Sequence, residues 1–534
     1  GASMAAFDPA LPYPSRRSPV CARNLVATSQ PLAAQAGLAA LARGGNAVDA
    51  ALATAIMRSV VEPTGNGLGS DAFALVWDGG RLHGLNASGR APASWRRERF
   101  AGAEAMPVLW ADAITVPGAV SAWVALSRRF GRLPFEDLFA AAIRYARDGY
   151  LVSPLVAGLW ARAVPRLEGQ PGFRAVFMPD GRAPEAGEPF RAPAMATTLE
   201  AIAHSQGEAF YRGKLAEATV DWVRRHGGGL AMSDLEAHAA DWVTPLERAG
   251  FGVRLCEIPP NGQGIAAQMA LGLLTHTDVA AHEADSVAAL HLQIEATKLA
   301  FADLEAHVAD RDHMRVPPDA LLDDAYLGER AARIDPAEAG DPGAGTPKPG
   351  GTVYLAAADA DGMMVSFIQS NYMGFGSGVV VPETGVSLQN RGAGFTLEAD
   401  HPNVVAPGKR PFHTIIPGFL LEADGAPAMS FGVMGGPMQA QGHLQMLMRT
   451  RVFGQNPQAA SDAPRWRITG GRGVAMETGF PDAVYQGLRA RGHAVVVETP
   501  DVAFGFGGAQ LIARLEHGYA AGSDSRKDGA AVGF

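Results

Sequence analysis

The sequence predicts a layered α/β protein, helix-rich in its first half and strand-rich after about residue 351. Three observations carry that prediction. Apolar residues recur at helical spacing in separate segments as far as residue 308. A Pro/Gly-rich stretch with no periodic apolar face then fills residues 335–351. Directly after it come a strand, a tight turn and a second strand, and strand-and-turn patterning dominates from there to the end.

Residues 31–63, PLAAQAGLAALARGGNAVDAALATAIMRSVVEP, have a helical apolar pattern interrupted at Gly44-Gly45. That break predicts one helix ending on glycine and a second beginning just beyond it, closed at Pro63 and the glycines at 65, 67 and 69. Further helices are predicted near residues 117–130, 135–147, 196–204, 214–225 and 285–308. The stretch DPAEAGDPGAGTPKPGG, residues 335–351, has the composition of an exposed, flexible linker. TVYLAAADADGMMVSFIQS follows, a hairpin turning on Asp361-Gly362. Two more helices are expected near 437–452 and 481–491, and no internal repeat is visible.

Bulk composition bounds the function. Apolar residues make up 47% of 534 and charged residues 19%, enough for a sizeable core and too apolar for disorder. A net charge of −9 without any basic stripe argues against nucleic acid and anionic membranes as partners. The two cysteines, Cys21 and Cys256, are far apart and in no C-x-x-C pair, so they read as reduced thiols rather than a metal or redox site. Gly1-Ala2-Ser3 ahead of Met4 reads as an expression scar, and the residues after it have no signal-peptide apolar core. With no unbroken apolar run of about 18–20 residues, a cytoplasmic location is expected.

Familiar catalytic motifs are missing. There is no H-E-x-x-H, and the 14 histidines show no metal-ligand spacing, so neither a metal nor a cofactor is expected. No serine lies in a nucleophile elbow. Gly65-Asn66-Gly67-Leu68-Gly69 follows a helical pattern instead of a strand, which argues against a dinucleotide loop.

The junction at Thr352 is more informative. A threonine opening a buried strand after Gly-Gly can be a plain β-former. Cleavage before it would instead leave one residue carrying both a hydroxyl nucleophile and a free α-amine. Such an amine titrates near about 7.7–8.0 and can take the hydroxyl proton, directly or through one water. Gly435-Gly436, in FGVMGGPMQ, could supply backbone N–H groups to an oxyanion. An ordinary strand-to-helix turn fits the same residues.

GGNAVDAALA and VVEPTGNGLGSDAF near the start, Thr352 with ADADGMMVSF, then PETGVSLQNRGAGF, PGKRPFHTIIP and FGVMGGP occur in one order and spacing. By these pieces the chain resembles the gamma-glutamyltranspeptidase family of N-terminal nucleophile hydrolases over nearly its whole length. The resemblance implies an αββα sandwich made from one precursor. A large subunit, residues 4–351, and a small subunit, residues 352–534, would stay together after cleavage between Gly351 and Thr352. It makes Thr352 the nucleophile and puts Ser370 on a threonine that orients it. Gly435 and Gly436 fall on the oxyanion-hole glycines. His413 and Thr414 replace a serine pair over the acyl group, and Tyr372 joins the expected substrate contacts.

Two family substrate ligands do not carry over. The arginine that grips an α-carboxylate in R-E-x-A-P falls on Ser88, while Arg90 lies two residues on, about 6–7 Å along a strand. The aspartate that holds an α-ammonium in N-N-Q-M-D-D-F falls on Gly394, and Arg391 stands where the family has a neutral amide. Losing both clamps removes several kcal/mol of selective binding, at roughly 1.5–3 for each charge-assisted pair. The expected substrate is therefore a small or carboxylate-bearing amide, oxamate being one candidate, hydrolysed through an acyl-enzyme. The alternatives are a γ-glutamyltransferase or glutathione hydrolase that binds through Arg90 or Arg391, and an uncleaved, inactive paralogue serving as a binding protein. The expected partners are the small-molecule amide and the two subunits of the precursor, with a homo-oligomer of such heterodimers also compatible.

Overall fold

The computed structural model describes residues 7–8, 10–348, 350–499 and 505–534. The first six residues and Pro349 of the Pro/Gly-rich stretch lie outside that set. The Gly44-Gly45 break separates helices Pro31–Ala42 and Ala47–Val61. Gly44 takes φ of 89°, and Asn46 closes a capping box with Asp49. Helices also occupy Ala119–Phe130, Ala140–Asp148, Pro193–Ser205, Lys214–Arg225, Val287–His307, Gln439–Leu447 and Asp482–Ala490, each within a segment of helical periodicity or overlapping one. Helices Pro154–Leu167 and Gly264–Leu274 were not predicted. The second is buried at every residue, so it has no polar face for a periodicity to reveal.

Two seven-stranded antiparallel sheets form the centre. One runs, in order, through Val20–Ala22, Gly518–Ser523, Gly508–Leu515, Pro427–Met434, Gly418–Glu422, Val253–Glu257 and Leu246–Gly250. The other runs through Ala530–Gly533, Leu25–Thr28, Gly351–Ala358, Met364–Tyr372, Asp71–Trp77, Leu82–Asn86 and Asp241–Val243. The division into a helical half and a strand half therefore fails at the sheets, because each draws strands from both sides of residue 351.

Alternation along the strands sorts side chains into layers. Tyr354, Ala356, Ile368, Phe73 and Leu75 face inward and meet Cys256, Phe419 and Ile512 of the opposite sheet. Leu355, Ala357, Phe367, Ala74 and Val76 face outward against the Ala47–Val61 helix. On the far side Leu255, Leu420, Phe431 and Leu511 carry the helices Gly264–Leu274, Val287–His307 and Gln439–Leu447. The period of two in a strand, with both faces covered, produces four layers in the order helix, sheet, sheet, helix.

Residues 335–348 are irregular, as their composition predicts, yet they lie along the body. Ala339 and Ala344 are buried, the Ala339 N–H donates to the Arg491 carbonyl at 2.7 Å, and Thr346 Oγ1 donates to the Thr469 carbonyl at 3.1 Å. Beneath residues 343–348 lies a cavity of about 360 Å³ that reaches Phe412. No helix among the described residues is long and apolar enough to cross a membrane.

Candidate active site

Thr352 is the second residue of the Gly351–Ala358 strand, at a register shift where Gly351 pairs with Tyr372 and Val353 with Gln369. Its side chain is fully buried, and Oγ1 donates to the Gln369 carbonyl at 3.0 Å. A Cβ on Gly65 would come within 3.3 Å of the Thr352 carbonyl oxygen and 3.0 Å of Val353. The glycine-rich loop after the second helix thus serves close packing over this strand rather than phosphate binding.

The bond before Thr352 is held from both sides. Ser370 Oγ donates to the Gly351 carbonyl at 2.6 Å and accepts the Tyr372 N–H at 2.8 Å. The Gly436 N–H donates to the Gly350 carbonyl at 2.7 Å. Gly435 has φ of 113°, a conformation that L side chains rarely adopt, and this turns the following N–H toward the strand. Thr352, Ser370, Gly435, Gly436 and Gly351 are therefore brought together.

Tyr372 continues the cluster. Its own φ is 84°, a strained value for a bulky residue, and its ring lies 4.4 Å beneath the Arg391 guanidinium. Arg391 opens the short turn Arg391–Gly394 and is fully buried. Its N–H donates to Gln389 Oε1 at 2.7 Å, and Nη1 donates to Thr414 Oγ1 at 2.9 Å. Nε and Nη2 are buried and have no hydrogen-bond partner among the described residues. Burial holds the guanidinium down to about 10, against the pull of Asp71 and Tyr372.

His413 adjoins Thr414 and is also fully buried, with Nε2 2.9 Å from Asp71 Oδ2. Burial and then the Arg391 charge push its imidazole down to about 4, so it is neutral at ordinary pH. Asp71 is a site residue that the motif reading passed over. Its only sequence signal is an acid at the mouth of the fully buried strand Asp71–Trp77.

The remaining candidates sit elsewhere or play other parts. The Arg90 side chain is 43% exposed and ion-paired with Asp241 at 3.5 Å and Asp310 at 3.8 Å. Ser88 is tied into a buried amide pair, donating to Asn86 Oδ1 at 2.7 Å and accepting from Asn261 Nδ2 at 3.1 Å. Gly394 sits where a Cβ would lie 2.3 Å from the Phe412 carbonyl oxygen, so an aspartate there would collide with backbone. The described residues contain one group with metal-ligand proximity, His291, Glu295 and His493. Most of its atoms are engaged with one another or with the chain: His291 Nδ1 and His493 Nε2 lie 2.7 Å apart, and Glu295 pairs with Lys298 and accepts the Gly340 N–H, while His493 Nδ1 has no hydrogen-bond partner among the described residues. That group anchors the start of the irregular stretch.

The four-layer arrangement is the αββα fold of the N-terminal nucleophile hydrolases. A cephalosporin acylase from Bacillus halodurans superimposes with a TM-score of 0.93 at 49% identity, covering 99% of both chains. The family model described as Gamma-glutamyltranspeptidase matches residues 33–534, and the chain belongs to that family. It is an enzyme of the amidohydrolase and gamma-glutamyltransferase type. Among relatives, an oxamate amidohydrolase proenzyme from Klebsiella pneumoniae is 38% identical over 530 residues, 97% of this chain and 99% of that one. A glutathione hydrolase-like YwrD proenzyme from Bacillus subtilis is 35% identical over 531 residues, 97% of this chain and all of the relative.

Proposed function

We propose that the chain is a self-cleaving N-terminal-threonine amidohydrolase whose acyl pocket takes a small carboxylate-bearing amide. Cleavage begins when Thr352 Oγ1 attacks the Gly351 carbonyl carbon and the peptide nitrogen leaves, giving an ester. Water then releases the Gly351 carboxylate and restores the hydroxyl beside a free α-amine. That amine accepts the hydroxyl proton when Thr352 attacks a substrate amide and passes it to the departing amine. Water hydrolyses the acyl-enzyme. The Ser370 contact to the Gly351 carbonyl supports the first step, since a donor on that oxygen stabilises the charge that develops there.

The carboxylate reading is carried by Arg391, a buried cation whose Nε and Nη2 meet no acceptor among the described residues. Burying an arginine in that way is costly without an anion, and a carboxylate offers two acceptors to its fork. The backbone at Gly394 disfavours an ammonium clamp in the family position. The Klebsiella relative, named for oxamate, makes that small amide the first compound to assay. Purified protein should give two fragments by denaturing mass spectrometry, the smaller beginning TVYLAA. It should release ammonia from oxamate or a homologous ω-carboxy amide in preference to cleaving a γ-glutamyl anilide. One intact chain after prolonged incubation would favour the binding-protein alternative. Efficient turnover of the anilide alone would favour the γ-glutamyl one.

A further inference from the structure

We propose that Asp71 is a positioning residue that holds His413 with Nδ1 as a hydrogen-bond acceptor beside Arg391, so that the acyl pocket selects carboxylates carrying an N–H or O–H donor. The inference rests on the carboxylate reading of Arg391. Asp71 is fully buried, and its Oδ1 accepts the N–H groups of Gly89 at 3.2 Å and Gly118 at 3.1 Å. Its Oδ2 faces His413 Nε2 at 2.9 Å. A carboxylate that accepts on both oxygens requires the imidazole to donate from Nε2. In a neutral ring the lone pair then resides on Nδ1.

The Asp71 contact sets which nitrogen faces the carboxylate, and the residue is held in place around it. The His413 N–H donates to the Asn261 carbonyl at 2.9 Å, its carbonyl accepts the Gln263 N–H at 3.0 Å, and Phe73 meets the ring edge-on at 4.8 Å. Nδ1 is buried and has no hydrogen-bond partner among the described residues. The next residue, Thr414, accepts Arg391 Nη1, and Arg391 is near enough to act electrostatically on the His413 ring. The two side chains thus hold three buried nitrogens without a partner among the described residues, Arg391 Nε and Nη2 as donors and His413 Nδ1 as acceptor, and in this proposal all three face the acyl group. Their complement has two carboxylate oxygens and a neighbouring donor, as in α-hydroxy, α-amino or α-amido carboxylates. A site built to pair with a donor rejects the analogue without one, because its own acceptor is left unpaired.

Fluoroacetate and glycolate are near-isosteres that differ in this respect, since the C–F group accepts only weakly and cannot donate. Binding of fluoroacetate to the cleaved protein can be followed by fluorine NMR, and glycolate measured by displacement. Glycolate should bind about tenfold tighter or better. Asp71→Asn, which can present its NH₂ to Nε2 and move the ring proton to Nδ1, replaces the acceptor by a donor that a C–F group leaves less poorly matched, so the preference should narrow. His413→Leu should level it. Equal binding of the two anions to the unaltered protein would overturn the proposal, as would a folded Asp71→Asn that keeps the glycolate preference undiminished. If Asp71→Asn does not fold, His413→Leu decides: a levelled preference supports the proposal and a retained one ends it. Arg391→Gln separates the two layers of inference. Unchanged fluoroacetate binding in that variant removes the carboxylate reading and this inference with it. Loss of both anions in Arg391→Gln, with the glycolate preference intact in Asp71→Asn, removes this inference alone.

Discussion

The Gly436 N–H donates to the Gly350 carbonyl at 2.7 Å, so in the continuous chain a candidate oxyanion donor already carries a carbonyl of the chain itself. Substrate can use that donor only after residues 350 and 351 withdraw. Activity should therefore rise in proportion to the cleaved fraction. Thr352→Ala should remain one chain with no turnover, checked by mass spectrometry and ammonia release on the same samples. A cut or active alanine variant would refute the mechanism.

Gly435→Ala tests the donor through the backbone. At φ of 113° an alanine is strained by roughly 1–3 kcal/mol, and relaxing the turn re-aims the Gly436 N–H. Loss of one such donor costs about 100-fold or more in kcat. The expected result is a cleaved protein with KM little changed and kcat reduced by that order. A wild-type kcat would remove Gly436 from the oxyanion role.

Ser370→Ala deletes the hydroxyl that donates to the Gly351 carbonyl at 2.6 Å. Self-cleavage should slow by about one to two orders of magnitude, in keeping with a lost charge-assisted hydrogen bond. Ser370→Thr should cleave at near the original rate. The time course of fragment appearance on a denaturing gel distinguishes them, and equal rates for all three proteins would contradict the role.

Gly394→Ala should destabilise the fold by about 1–3 kcal/mol, because the added methyl meets the Phe412 carbonyl oxygen rather than a side chain that can swing away. The urea midpoint in a Thr352→Ala background measures it. An unchanged midpoint would mean that the turn can accommodate a side chain, and the family aspartate with it.

Stability should fall as pH drops from about 6.5 toward 4. His413 is held down to about 4 by burial, so the unfolded chain, titrating near 6.5, takes up the proton first. The sign follows: the folded state is fully favoured above pH 6.5 and loses up to about 3 kcal/mol through that window. His238, held to about 4 by burial, adds in the same direction. Asp524 acts lower on the scale. Despite its burial, the adjacent Arg465 and Arg526 keep it near 2, so its contribution is lost only below about pH 4. Urea midpoints of Thr352→Ala at about pH 7.5 and 5 should differ, and His413→Leu should narrow the difference.

What the sequence made legible followed from local physics. Helix ends at Gly44 and Asn46 and the turn at Gly362 are written in residues with particular backbone preferences. The strands Asp71–Trp77 and Val253–Glu257 are almost wholly buried, so no polar alternation announced them, and the helix Gly264–Leu274 was hidden for the same reason. At the site, Arg90 and Arg391 looked alike as stray cations. Burial separates them, since one ends in surface ion pairs and the other beneath Thr414. The Asp71–His413 pair joins residues 342 positions apart and could come only from the sheet topology.

The interleaving of strands across residue 351 would make cleavage there a one-way step in the kinetic sense. Gly351–Ala358 is hydrogen-bonded to Leu25–Thr28, and Val253–Glu257 to Gly418–Glu422, so a cut there frees no piece. Before the cut, refolding is a first-order search by one molecule; afterwards two chains must find each other, at a rate that falls with dilution. Self-cleavage after Gly351 would act as a ratchet: the enzyme would reach its working state once, and from then on its persistence would depend on how slowly it unfolds.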